Sequence, residues 1–293
     1  MSQPTPMLEQ YHRIKRDHRD AILMFRMGDF YEMFFDDAVK ASTVLEIALT
    51  ARGRGTDNEA PMCGVPHHSV DSYIARLIAS GLKVAVCDQV EDAATAKGLV
   101  RREVVRVVSP GTLTDPATLD ARENLFIGCL CLSAEGIGSA WIDLSTGDFR
   151  VAESRGEGAA EQVRLLAAAL RPREILHPEG ADPEALLGPD RPDGVAFNPL
   201  PDWVYGRDAS YRILAEQMGT RSLKGFGCEE MDLAVRAGGA LIHHLRGTQR
   251  SALAHIDRLV PVNTSDHLVL DAATLRTLEV VRSLAHGGRA GSL

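Results

Sequence analysis

The spacing of apolar and polar positions changes several times along the chain, and each change marks an element. After Thr5-Pro6, the residues Met7, Tyr11 and Ile14 recur on one helical face. Thr5 is placed to cap that helix and Pro6 to occupy its first position. The run "AILMFRM" (Ala21 to Met27) is short and mostly apolar, and is read as a buried strand. From Phe30 the spacing is three and four: Phe30, Phe34 and Ala38, with Met33 and Ala41 alongside. That predicts a helix beginning at or just before Phe30, with Gly28-Asp29 as the turn into it. In "PMCGVPHHSVDSYIARLIASG", the residues Val70, Tyr73, Ile74, Leu77 and Ile78 follow an amphipathic helix closed by Ser80-Gly81. The segments "LKVAVCDQV" and "REVVRVVSPG" read as two further strands. Strands alternating with helices predict a small α/β domain with a mixed or parallel sheet.

Between Ser109 and Asn124 the apolar pattern lapses, with two prolines and several small polar residues, and a linker is expected there. Beyond it, "LFIGCLCLS" and "GIGSAWIDLSTGDFRVAES" read as an antiparallel meander with "AEG" and "STGD" turns. A helix in "AAEQVRLLAAALRP" and a strand in "REILHPE" follow, which predicts a second α/β domain. Helices from Ala209 to Met218 and from Met231 to Leu245 flank "LKGFG". The final segment, "HLVLDAATLRTLEVVRSLAHGGRAGSL", opens a helical region and then stops where a core should continue, so a truncated chain is expected.

Length and composition narrow this picture. At 293 residues the chain accommodates two cores, and 45% hydrophobic with 25% charged residues is a globular balance. No run is long enough to span a membrane, and the start "MSQPTPMLEQ" has no basic then apolar order, so a cytoplasmic protein without membrane association is expected. The five cysteines form no C-x-x-C pair, and the adjacent histidines at 67–68 and 243–244 lack partners at ligand spacing. Reduced thiols and no metal site are expected. The net charge of −8 opposes nucleic-acid binding at face value. Its distribution is uneven: residues 1 to 115 hold 14 basic and 16 acidic side chains, a balance of −2. Within them "KGLVRREVVR" has four bases against one acid, and "TARGRG" adds Arg52 and Arg54. The patch is read either as a phosphate-facing surface or as a solvated strand.

No phosphate-cradling loop and no nucleophile elbow occurs. Asp143 in "WIDLSTGDF", on a central strand, is a candidate ligand of a two-metal nuclease site, with Glu174 the only acid well placed on a following strand. Phe30 and Glu32 in "GDFYE" offer a different chemistry. A ring at the rigid end of an element beside a polar group has the makings of a wedge between bases, although a single aromatic equally serves a core.

At these residues the sequence resembles the N-terminal part of the MutS family, the DNA mismatch-recognition proteins. The matching runs include "TPMLEQY", "FRMGDFYEMFFDDA", "LTARG", "PMCGVPHHSVDSYIARL", "GLKVAVCDQVED", "KGLVRREVVRVVSPGT", "WIDLSTGDF", "LKGFG" and "LDAATLRTLE", in family order along nearly the whole chain. The resemblance implies a mismatch-binding domain over 1–115, a linker over 116–124, a ribonuclease-H-like connector without nuclease activity over 125–255, and the start of an α-helical core over 256–293. It implies that Phe30 inserts at a mispair and that Glu32 hydrogen-bonds the mispaired base. Arg52, Met62, Lys97 and Arg102 match family positions at or near the DNA. It also implies docking of MutL on the connector, and a homodimer, ATP and Mg²⁺ in full-length members. The lever, clamp and ATPase regions have no counterpart in this sequence, so the chain is expected to be no enzyme and to need no cofactor. The alternatives are a metal-dependent ribonuclease-H-like nuclease using Asp143, or a protein-docking module with Phe30 in its core.

Overall fold

A computed structural model describes residues 5–55, 59–91, 98–112, 126–248 and 253–262. The chain divides into two units, Met1–Glu123 with Arg246–Ala252, and Asn124–Leu245 with Leu253–Leu293. No helix among the described residues is long and apolar enough to cross a membrane.

In the first unit, helix α1 (Pro6–Asp17) begins as its sequence predicts. The Leu8 amide donates to the Thr5 hydroxyl at 3.5 Å, and Pro6 fills the first turn. Strand β1 (Ala21–Met27) follows, and here one expectation fails. Gly28-Asp29 do not lead into a helix. They close a two-residue hairpin onto strand β2 (Phe30–Phe34), with Met27 opposite Phe30 and Phe25 opposite Glu32. Gly28 sits at φ +59°, and a positive φ at the first turn residue alone matches the right-handed twist of a hairpin. Helix α2 (Phe35–Leu45) starts five residues later than expected. Phe35 enters it at φ +53°, an unusual conformation for an aromatic, with the His12 ring stacked on it at 4.9 Å.

The rest of the unit is β3 (Thr50–Arg52), β4 (Ala60–Pro66), a 3₁₀ turn at His67–Ser69, α3 (Val70–Ala79), β5 (Lys83–Gln89) and β6 (Arg102–Val108). They form one mixed sheet in the order β3-β4-β2-β1-β5-β6, in which β1 and β5 are parallel and the other pairs antiparallel. Helix α1 covers one face over Tyr11, Phe25 and Phe34, while α2 and α3 cover the other over Met24, Tyr31, Met33 and Leu77. A buried carboxylate fastens these layers. Asp37 accepts from Tyr11 Oη at 3.2 Å, from Lys15 Nζ at 2.9 Å and from the Leu23 amide at 3.0 Å, tying α1, β1 and α2 together. An unpaired carboxylate there would cost several kcal/mol, and three donors remove that cost.

The second unit opens with the predicted meander, β7 (Phe126–Ser133), β8 (Gly136–Asp143) and β9 (Asp148–Arg155), paired antiparallel. Helix α4 (Ala159–Leu170) leads to β10 (Glu174–Pro178), parallel to β7. Helix α5 (Pro183–Leu187) leads to β11 (Ala196–Leu200), parallel to β10. Helices α6 (Arg207–Gln217) and α7 (Asp232–Thr248) precede β12 (Leu259–Pro261), which pairs with β9. The strand order is β11-β10-β7-β8-β9-β12. Three antiparallel strands flanked by parallel ones, with helices on both faces, make this a ribonuclease-H-like sheet. Helix α7 lies so close to β8 that a Cβ on Gly138 would come 2.0 Å from the Leu233 carbonyl oxygen. Glu153 on β9 receives the Leu233 and Ala234 amides of that helix at 2.8 and 3.3 Å. The helical core expected over 256–293 falls, from residue 263 onward, outside the described residues.

Candidate nucleic-acid interface

Side chains alternate along a strand, so Phe30, Glu32 and Phe34 share one face of β2, and Tyr31 and Met33 share the other. Tyr31 and Met33 are buried under α2 and α3, at 4% and 0% exposure. On the opposite face the cover of α1 runs out along the strand. Phe34 is fully buried, its ring edge-on to Tyr11 at 5.1 Å, Glu32 is half-buried, and Phe30 is 48% exposed. Phe30 is therefore neither in the first turn of a helix nor in the core. It stands at the end of an internal strand, braced by Met27 on one side and Pro66 on the other. The hairpin is itself held, since the His67 amide donates to the Asp29 carbonyl at 2.9 Å.

Glu32 faces Gly64 of β4. A methyl on Gly64 would lie 3.6 Å from Glu32 Cγ and 3.9 Å from Phe30 Cδ1, so the glycine keeps the floor between the two side chains low. Arg52 of β3 donates through Nη1 to Glu32 Oε2 at 3.0 Å, with 42% of the arginine side chain exposed against 17% of the glutamate. Burial lifts the Glu32 carboxyl above its ordinary range, while Arg52, and behind it Arg102, act in the opposite sense.

The other expected contacts separate. Arg52 lies beside Glu32 and is open to solvent. Met62 shares the face but is opposite Phe34, half-buried among the aromatic residues under α1. Lys97 lies outside the described residues. Arg102 is corrected: it is 6% exposed, and its guanidinium donates to the Arg26 carbonyl at 2.7 Å, the Val100 carbonyl at 2.9 Å and Gln10 Oε1 at 3.3 Å. It stacks over the Phe25 ring at 5.0 Å, so it stiffens the face from below. Two supports went unnoticed in the sequence. Tyr31 donates to Asp88 Oδ2 at 2.9 Å; burial, and after it this bond, pushes the phenol up to about 12, and Arg26 covers the Tyr31 ring at 5.3 Å. Tyr31 stands between the two candidate residues in "FYE", and that adjacency was the available signal.

The nuclease alternative requires Asp143 and Glu174 to converge, and the sheet register keeps them apart. Asp143 pairs with Phe126, whose face is covered by α4. Glu174 pairs with Ile127, whose face is covered by α7. Paired residues point the same way and neighbours point oppositely, so the two carboxylates lie on opposite faces. Each is fully buried with a local partner. Asp143 receives the Ser145 amide and hydroxyl at 2.8 and 2.6 Å, and Glu174 receives the Asn198 amide group. Among the described residues no three His, Cys, Asp or Glu side chains come together as a metal site.

A mixed-sheet α/β unit with a half-exposed Phe-x-Glu strand end, followed by a ribonuclease-H-like unit, is the arrangement that the resemblance to the leading domains of DNA mismatch repair proteins implies. The comparisons agree. Residues 5–117 match the family described as MutS domain I, and residues 125–257 match MutS domain II. The chain is 45% identical over 294 aligned positions to the DNA mismatch repair protein MutS of Symbiobacterium thermophilum, covering 99% of this chain and 33% of that protein. It is 46% identical to the MutS proteins of Solibacter usitatus and Desulfosudis oleivorans, covering 96% and 99% of this chain and 32% and 33% of theirs. The chain belongs to the MutS family. It spans about a third of the length of these curated relatives, and the domains it matches are not the family's ATPase region.

Proposed function

We propose that the first unit recognises mismatched base pairs in duplex DNA, with Phe30 as the wedge and Glu32 as the group that hydrogen-bonds the mispaired base. The observation that carries this reading is the exposure of Phe30 at the braced end of an internal strand whose other aromatic residues are buried. A mispaired step is already poorly stacked, so inserting a ring and kinking the duplex costs less there than at a matched step. Discrimination then follows from DNA deformability, with Arg52 supplying a salt-dependent phosphate contact. Glu32 accepts a hydrogen bond when ionised and donates one when protonated, and its charge repels intact duplex. In the longer protein the second unit serves as the docking domain for MutL, and ATP, Mg²⁺ and homodimerisation belong to segments beyond the two matched domains.

The test is fluorescence-anisotropy binding of a G·T duplex and its matched control. Stacking of one ring on a base is worth about 1–3 kcal/mol, so Phe30→Ala is expected to weaken G·T binding by about 5- to 150-fold and leave matched duplex nearly unchanged. A folded Phe30→Ala protein that keeps its G·T preference overturns the reading.

A further inference from the structure

The Arg52–Glu32 ion pair joins two side chains near the exposed ring whose charges are opposite and whose exposures differ widely, 42% against 17%. We propose that Arg52 is an exchangeable counter-ion: it neutralises Glu32 in the free protein and passes to a DNA phosphate at a mismatch, leaving Glu32 to take a proton from solvent and donate its O–H to the mispaired base. The inference rests on the reading that Phe30 and Glu32 meet the mispair.

Three observations support it. The pair is made through one nitrogen, Nη1 to Oε2, so the arginine fork is not fully used, whereas a phosphate can engage two of its N–H groups. Arg52 sits on β3, the three-residue edge strand, with its side chain 42% exposed, so it can move. Glu32, 17% exposed on an internal strand, cannot follow it. The charges acting on Glu32 are Arg52 from β3 and Arg102 from β6. Opposite it, β1 and β4 contribute Phe25 and Gly64, and Gln10 of α1, bonded to Arg102, is neutral. Arg102 is 6% exposed and held through Nε and Nη1 by the Arg26 and Val100 carbonyls, so exchange falls to the exposed Arg52.

Once Arg52 leaves, Glu32 keeps its desolvation and loses its nearest cation, and both effects favour the neutral acid. Bond accounting is simple: an N–H···O⁻ contact is given up, an N–H···phosphate contact is made, and one proton enters from water. The phosphate must come down onto this face for the exchange, which a kinked mismatch allows and a straight duplex does not. On matched DNA Glu32 stays ionised and paired with Arg52, so protonation is coupled to deformation.

The test follows the Glu32 carboxyl directly, by ¹³C NMR of the full chain labelled at glutamate, with Glu32→Gln to assign the signal. In free protein Arg52→Met is expected to shift the Glu32 titration upward. Saturating G·T duplex is expected to shift it upward in the unmutated chain, matched duplex to shift it less, and the G·T shift to shrink in Arg52→Met. Arg52→Lys, which keeps the charge without the fork, is expected to fall between. The slope of log K against log salt on G·T should also fall by about 0.9 in Arg52→Met. A Glu32 titration unmoved by Arg52→Met, or a duplex-induced shift of equal size in both proteins, overturns the exchange while leaving the wedge in place. Survival of the G·T preference in Phe30→Ala and Glu32→Gln instead overturns the mismatch reading itself, and the exchange with it.

Discussion

Truncating Phe30 and Phe34 in turn separates a probing ring from a core ring on the same strand face. Phe34 has no exposed surface and packs against Tyr11, so Phe34→Ala loses its transfer energy and leaves a cavity, at a cost of about 3–5 kcal/mol. Full burial of a phenylalanine is worth about 1.5–3 kcal/mol. Phe30 keeps 48% of its surface exposed and leaves no enclosed void, so roughly half that value is lost, about 1 kcal/mol. The assay must report on the first unit, and tryptophan fluorescence cannot, because Trp141 and Trp203 both lie in the second. Native-state hydrogen exchange at the Leu23 amide, buried and donated to Asp37, does report on it. Phe34→Ala should accelerate that exchange by about 10²- to 4 × 10³-fold, and Phe30→Ala by about 5-fold. Equal acceleration in the two variants would show that Phe30 is core, and the argument from its exposure would fall.

Two further outcomes test other parts of the structure. Gly138→Ala places a Cβ 2.0 Å from the Leu233 carbonyl at the start of α7, so the helix must lift from the sheet. A loss of about 3 kcal/mol is expected in urea titrations followed by the buried Trp141, and a loss below about 1 kcal/mol would refute the close approach. All five cysteines are buried, and burial pushes Cys63, Cys131 and Cys228 up to about 11 and Cys87 and Cys129 up to about 12. The folded values lie above the ordinary value of 9.0, so the unfolded chain loses these protons first. Stability should be complete below about pH 9 and fall as pH rises towards 11 and 12. Melts at pH 8, 9.5 and 10.5 read this, with native thiols inert to aromatic disulfide reagents at pH 8; rapid native labelling or a flat Tm would contradict it.

Much of this fold was legible because the local signals agreed with one another. Thr5-Pro6 and the Met7-Tyr11 spacing give α1, the alternating cores of "LKVAVCDQV" and "LFIGCLCLS" give β5 and β7, and "STGD" gives the hairpin between β8 and β9. The misreading at Phe30 has a plain cause. A four-residue interval belongs to both periods: Phe30 and Phe34 share a helix face at i and i+4, and a strand face at the same spacing. The pairing that settles it comes from β1, across the two-residue turn, and from β4, about 30 residues further along the chain. Strand β4 was overlooked because Pro61 and Pro66 stand at its two ends, where proline weakens a strand reading. Arg102 looked like part of a basic surface because "KGLVRREVVR" has four bases against one acid. Its burial is decided by Gln10 and the Arg26 carbonyl, about 75 to 90 positions away.

Because β2 is an internal strand, the end that carries Phe30 is clamped on both sides and closed by a two-residue turn. A soft fingertip yields to whatever it touches and so learns little about it. A hard stylus does not yield, and the displacement it produces measures the compliance of the surface beneath. On the mismatch-recognition proposal, a ring held at this clamped strand end makes helix stiffness, base step by base step, the quantity that is read.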